Sequence, residues 1–294
     1  MFPPMLATPG PLPSGPEWVF ELKWDGVRVV ATFDPGLRLS ARSGTNVTSR
    51  YPELSGLSLP PGTVLDGEVV VLADGRPSFE LLAERMHRDR PPAALAARLP
   101  VTYLIFDLPY LAGENLCELP YEERRARLDE LGLAGPHWAV PPAFDDGPAT
   151  YTASAQLGLE GVVAKRRTSQ YRPGLRSADW VKCKNESTMD VLVGGWRPGA
   201  RRLGALLVGT EEEEGLVFRG RVGGGISAAT EERLLGLLEP LARPTSPFAE
   251  ALPPEDRRGA RWVEPLIVVE VAYGQLTNAG RLRFPRLRKV LDHE

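Results

Sequence analysis

At 294 residues, with 43% hydrophobic and 25% charged positions, the chain is long enough for two ordinary domains, and its composition excludes global disorder. Thirty-five Lys and Arg against 38 Asp and Glu leave a net charge of −3, which excludes a polycation that binds nucleic acid by bulk charge alone. Two separated cysteines, Cys117 and Cys183, and three histidines exclude a disulfide scaffold and argue against a structural zinc site. In chain order, residues 17–23 (EWVFELK), 27–33 (VRVVATF), 63–72 (TVLDGEVVVL) and 101–107 (VTYLIFD) read as strands, rich in β-branched and aromatic residues and bounded by Gly, Pro or Asp. Helices are expected at Ser78–Met86, with Ser78 as the cap, and at Tyr121–Leu131, where charge alternates on an exposed face. Two further strands are expected around Gly161–Lys165 and Asp179–Lys184.

The texture changes after Glu186. Short apolar runs at Val191–Val193, Leu203–Val208, Leu216–Val222 and Leu266–Ala272 are separated by Gly-rich turns, with one helical segment at Ala228–Leu241. This pattern fits a small barrel of the OB type or a sandwich, and the Pro-rich stretch 240–254 reads as a loop within it. Charge is uneven. Residues 161–202 carry ten Lys/Arg against three acids, so that segment is +7 and the rest of the chain −10. With the basic run RLRFPRLRK at 281–289, two clusters flank the second region and favour a polyanionic partner over a merely solvated face.

Four segments carry chemistry. In ELKWDGVR, Lys23 lies between two strand-like runs and just before Asp25-Gly26, a position from which an amine can face a cleft; alone it reads more readily as an ordinary surface lysine, and the case rests on what accompanies it. In LDGEVV, Asp66 and Glu68 at i and i+2 share one strand face, unless Asp66-Gly67 is a hairpin turn. EGVVAK (Glu160–Lys165) begins with an acid and ends with a base around an apolar stretch. WVKCK (Trp180–Lys184) sets Lys182 and Lys184 on one face, which is unfavourable unless an anion lies between them, and Cys183 on the other.

Together with SARSG (Ser40–Gly44) and YLIFDL (Tyr103–Leu108), and in this order, these segments resemble the covalent nucleotidyltransferases, and specifically the ATP-dependent DNA ligases. The PMLA opening and compact size look most like the ligase cores of bacterial end-joining repair. The resemblance implies an α+β fold: a nucleotidyltransferase (ATP-grasp-like) domain with antiparallel sheets and flanking helices at 1–187, then an OB-fold barrel at 188–294, with a cleft for ATP and nicked DNA between them.

It also implies roles. Lys23 attacks the α-phosphate of ATP to give lysyl-AMP, while Lys182 and Lys184 neutralise the triphosphate and disfavour a protonated amine nearby. Arg28 and Glu68 hold the ribose, Phe106 stacks on adenine, Val162 or its neighbours meet the other face, and Arg42 contacts phosphate. Glu21 and Leu22 join the nucleotide-binding set, and Glu160 is expected to ligate Mg²⁺ (or Mn²⁺). Arg283, Lys289 and their neighbours are expected to orient pyrophosphate, because Asp292-His293-Glu294 lacks the family's closing lysine; Ser43 stands where Asn is usual.

The implied partners are nicked or broken duplex DNA, a Ku-like end-binding protein and a repair polymerase, with the chain a monomer. Without a large N-terminal DNA-binding domain ahead of residue 1, DNA affinity is expected to be weak and salt-sensitive. The start MFPPMLATPG lacks a signal peptide's regions and no run spans a membrane, so the expected location is cytoplasmic. The alternatives are an RNA ligase or mRNA-capping guanylyltransferase, which keep the chemistry, and a degenerate non-catalytic module that binds DNA ends.

Overall fold

The computed structural model describes residues 2–277 and 279–291. The chain divides into two compact units, Met1–Asn185 and Glu186–Glu294.

In the first unit, β-rich runs pair into two largely antiparallel sheets. One has the order β1 (Leu6–Pro9), β8 (Arg176–Lys184), β7 (Gly161–Arg166), β2 (Trp18–Lys23) and a short edge at Ala143–Phe144. The other is built on β4 (Leu37–Ala41), β3 (Val27–Phe33), β5 (Thr63–Ala73) and β6 (Val101–Leu111). Alternation along these strands sends Val29, Leu65, Val69, Tyr103 and Ile105 into one fully buried core, burial that supplies the main driving force for the sheet. Ser78 caps the helix α1 (Phe79–Ala83), accepting from the Leu81 amide, and α2 (Tyr121–Glu130) follows Pro120. A third helix, α3 (Gly147–Gln156), is capped by Asp146 and has no apolar periodicity that announces it in the sequence.

Asp66-Gly67 is not a turn: both residues sit inside β5, beside an irregularity in its pairing with β6. A Cβ on Gly67 would lie 2.5 Å from the Tyr103 ring and 2.6 Å from the Leu104 carbonyl, so the glycine lets the two strands close on each other.

In the second unit the long strand β9 (Ser187–Arg197) pairs with β10 (Ala205–Glu212) and with β12 (Val268–Tyr273). β10 continues to β11 (Gly215–Val222), and β12 to β13 (Arg286–Val290). Bulges at Val193/Gly195 and Val208/Gly209 bend the strands. The sheet curls as a half-barrel about Trp196, Leu206, Val222 and Val269, consistent with an OB-type barrel, and α4 (Ala228–Leu238, capped by Ser227) packs Leu234, Leu235 and Leu238 against it. The Pro-rich stretch is more than a loop. Ala242–Arg243 pairs with the strand Arg261–Val263, and Phe248 and Leu252 are buried with Leu207, Leu216 and Phe218 in a small core of their own. Among the described residues no helix is long and apolar enough to cross a membrane.

Candidate active site

Three neighbouring strands of the first unit build the centre of the site. Gly161 at the start of β7 is in register with Lys23 on β2 and with Lys184 on β8, so one residue separates the two lysines across the sheet. Gly161 has φ +140°, and a Cβ there would lie 2.1 Å from the Cys183 carbonyl; the close approach is open to glycine alone. Glu160, immediately before it, reaches both lysines: its Oε2 accepts from Lys23 Nζ, and its Oε1 is 2.6 Å from Lys184 Nζ. Burial works against ionising Glu160, but Lys23 and Lys184 outweigh it and hold its carboxyl below the usual range. The Lys23 amine therefore stands paired with the carboxylate that the sequence reading assigned to a divalent ion.

One rung further, Glu21, Val163 and Lys182 are in register. Lys182 is pushed below its ordinary value by partial burial and by Lys184, Lys23 and Arg176, which marks a crowded cationic wall. Lys23, Lys182, Glu21, Leu22, Arg28, Arg42, Glu68 and Phe106 all line a single pocket.

Arg28 on β3 forms a fork to Asp66, with Nε–Oδ1 and Nη2–Oδ2 both 2.5 Å, and its guanidinium carbon lies 4.6 Å from the Phe106 ring centroid. Burial alone disfavours the charged guanidinium, yet the Asp66 charge and hydrogen bonds raise it well above its ordinary value. Glu68 faces the same space. Burial pushes its carboxyl up to about 7, against the opposing pull of Arg28 and Lys23.

Val162 requires a correction. It is fully buried on the opposite face of β7, and the strand alternation that hides it presents Val163 to the pocket instead. Arg283 and Lys289 belong to the second unit. Arg283 ends the short strand Leu282–Arg283, 4.9 Å from the Phe284 ring centroid, and Lys289 is exposed on β13 opposite Glu270. Arg286 and Arg288 are both engaged by Glu186. Asp292-His293-Glu294 lie outside the described residues.

Sequence reasoning named Glu21 and Lys165 but missed that they pair as the pocket's buried polar floor. Lys165, 1% exposed, donates to Glu21 Oε1 (2.9 Å) and to the Phe106 carbonyl (3.0 Å), and stands 4.3 to 4.7 Å from the ring centroids of Trp180, Phe106 and Tyr121. The Tyr121 hydroxyl donates to the same Glu21 oxygen, and Arg125 is 3.8 Å away. The available signal was a lysine at an inward position of an otherwise apolar strand. Trp180, Arg176, Leu6 and Ala7 also line the pocket. Among the described residues no group of three His, Cys, Asp or Glu side chains could hold a metal ion by itself.

The geometry offers an amine, a carboxylate beside it, a row of cations and an aromatic wall, the equipment for transferring a nucleoside phosphate. Residues 4–184 match the family model of the ATP dependent DNA ligase domain, and residues 199–292 that of the ATP dependent DNA ligase C terminal region. The chain is 41% identical over 292 residues to the multifunctional non-homologous end joining protein LigD of Mycobacterium bovis, covering 95% of this chain and 37% of that protein. To LigD of Pseudomonas aeruginosa it is 40% identical over 295 residues, 95% of this chain and 34% of that one. It thus spans about a third of the length of these curated relatives. A solved structure described as mycobacterial DNA ligase D complexed with ATP and MES is similar at 39% identity and a TM-score of 0.58, covering 100% of this chain and 96% of that one. These likenesses favour the DNA-ligase reading over the RNA-ligase and capping-enzyme alternatives. With both family models matched in order along the chain, this protein belongs to the ATP-dependent DNA ligases.

Proposed function

We propose that the chain seals breaks in duplex DNA through a lysyl-AMP intermediate formed on Lys23. The observation that carries this reading is the convergence of Lys23, Lys182, Arg28, Glu68 and Phe106 on one pocket, with Glu160 bonded to the amine. The deprotonated Lys23 amine attacks the α-phosphorus of ATP, a P–N bond forms, the P–O bond to pyrophosphate breaks, and the amine proton leaves to solvent or a nearby base. Lys182 and Lys184 offset the charge that gathers on the phosphates. Arg28 and Glu68 hold the ribose hydroxyls, Phe106 and Val163 enclose the adenine, and Arg42, exposed at the pocket wall, meets a phosphate. The adenylate then passes to the 5′-phosphate of a nick, and the 3′-hydroxyl displaces AMP to close the strand.

A divalent ion fits this donor set only as one shared with the substrate. Glu160 is a single ionised carboxylate, and Mg²⁺ or Mn²⁺ is commonly held by one or two carboxylates plus phosphate oxygens. Bound there, it would supply positive charge to the reacting phosphates.

We also place the chain in end joining, as a monomeric, cytoplasmic enzyme with a Ku-like end-binding protein and a repair polymerase as partners; what supports the end-joining part is its likeness to relatives named for non-homologous end joining. Arg283, Lys289 and the other basic residues of the second unit are assigned to pyrophosphate and DNA phosphates. The test is sealing of a labelled nicked duplex in the presence of ATP and Mg²⁺. Wild type closes the nick, and Lys23→Ala does not. Sealing that survives Lys23→Ala rejects the mechanism.

A further inference from the structure

Tyr171 lies in the connection between β7 and β8 and is 2% exposed. Its ring packs edge-on against Trp180 at 5.8 Å and lies tilted against Phe2 at 5.7 Å, contacts that a phenylalanine would make equally well. The hydroxyl does something else. It accepts from the Met5 amide (3.0 Å) and donates to Asp66 Oδ2 (2.5 Å), the oxygen that also receives Arg28 Nη2. Arg28 Nη2 in turn reaches the Met5 carbonyl at 3.2 Å. The Met5 backbone, the phenol, the carboxylate and the guanidinium thus close a ring of hydrogen bonds around Asp66, which has no exposed surface.

A carboxylate gripped by one neighbour can still swivel, because its terminal torsion is broad and two-fold. A third donor from a different direction removes that freedom. Burial, reinforced by the Asp66 charge, holds the Tyr171 phenol well above its usual range, so it keeps its proton and stays a donor.

We infer that Tyr171 is a positioning residue for the nucleotide: through Asp66 it fixes the Arg28 guanidinium against the Phe106 ring, at the place where the ribose is held. The inference rests on the proposed reading of the pocket, in which Arg28 touches the nucleotide. It extends the site to the segment around Met5, whose amide orients the phenol.

The experiment measures self-adenylation rate against ATP concentration for wild type, Tyr171→Phe, Arg28→Ala and the double variant, each with its urea unfolding midpoint. Loss of one hydrogen bond to a charged group corresponds to about a tenfold rise in half-saturating ATP for Tyr171→Phe, with the maximal rate little changed. On the Arg28→Ala background the same substitution should change half-saturation by less than about twofold, since its effect passes through the arginine. A residue with only a packing role would lower the maximal rate with half-saturation unmoved, and by equal factors in both backgrounds; that result overturns the inference. Should Tyr171→Phe not fold, Asp66→Asn loosens the same grip on Arg28, and unchanged half-saturation there overturns it equally. Wild type that forms no adduct defeats the ligase reading and this inference with it. Wild type that adenylates normally beside an unaffected Tyr171→Phe defeats the inference alone.

Discussion

Replacing Lys165 by methionine tests the buried floor of the pocket. Methionine keeps the length and the apolar contacts with Phe106, Tyr121 and Trp180, but removes the charge and the two hydrogen bonds to Glu21 and the Phe106 carbonyl. Glu21, itself 6% exposed, then keeps, among the described residues, the Tyr121 hydroxyl and the more distant Arg125 guanidinium. Breaking a buried ion pair by removing one partner costs about 3–5 kcal/mol, and these remaining partners place Lys165→Met near about 3 kcal/mol. For a unit of this size that corresponds to a fall of roughly 6–12 °C in its melting temperature. Adding Glu21→Gln removes the stranded charge, so the double variant should recover at least about 1.5 kcal/mol relative to the sum of the single effects. The assay is urea denaturation of the full chain for all four members of the cycle. Strict additivity, to within about 0.5 kcal/mol, would refute the claim that Lys165 and Glu21 act as one buried unit.

Glu68 carries a pH signature. Its folded value of about 7 lies above the ordinary carboxylate value, so the folded state holds that proton more tightly than the unfolded chain. The associated stability is fully present below the unfolded value and is lost as pH rises through about 7, by at most about 1.4 kcal/mol per pH unit. Glu68→Gln should flatten that decline in unfolding midpoints between weakly acidic and neutral pH, and an unchanged slope would contradict the assignment. Gly67→Ala should destabilise the first unit, because its Cβ meets Tyr103 and the Leu104 backbone; a melting temperature equal to wild type would speak against the tight β5–β6 approach. Binding of nicked DNA should weaken by at least about tenfold between 50 and 200 mM salt if several Lys and Arg displace counterions, and salt-independent binding would remove the case for a basic DNA surface.

Much of this was readable from residue patterns. The strands over 27–33 and 63–72 were legible because alternation and β-branching act locally, and they form at Val27–Phe33 and Thr63–Ala73. Glu160 and Lys184 were singled out in separate motifs, and the single glycine between the two lysines follows from strand register once β2, β7 and β8 are neighbours. That neighbourhood itself was invisible: Gly161 meets Lys23 across more than a hundred residues of chain, and only the folded sheet sets the register. α3 escaped notice because its small and β-branched residues bury little, so its fixed point is the Asp146 cap rather than an apolar stripe. β1 was hidden in a proline-rich opening, and its pairing with β8 is what brings Met5 to Tyr171. Val162 was misplaced by one residue, the smallest error that turns a side chain to the wrong face of a strand.

The proposed chemistry begins at a single nitrogen. Tandem mass spectrometry of peptides from the chain after incubation with ATP and Mg²⁺ should locate one adenylate on Lys23 Nζ, with none on Lys182 or Lys184. An adenylate carried by either of those lysines, or one that persists when Lys23 is replaced by alanine, would contradict the account.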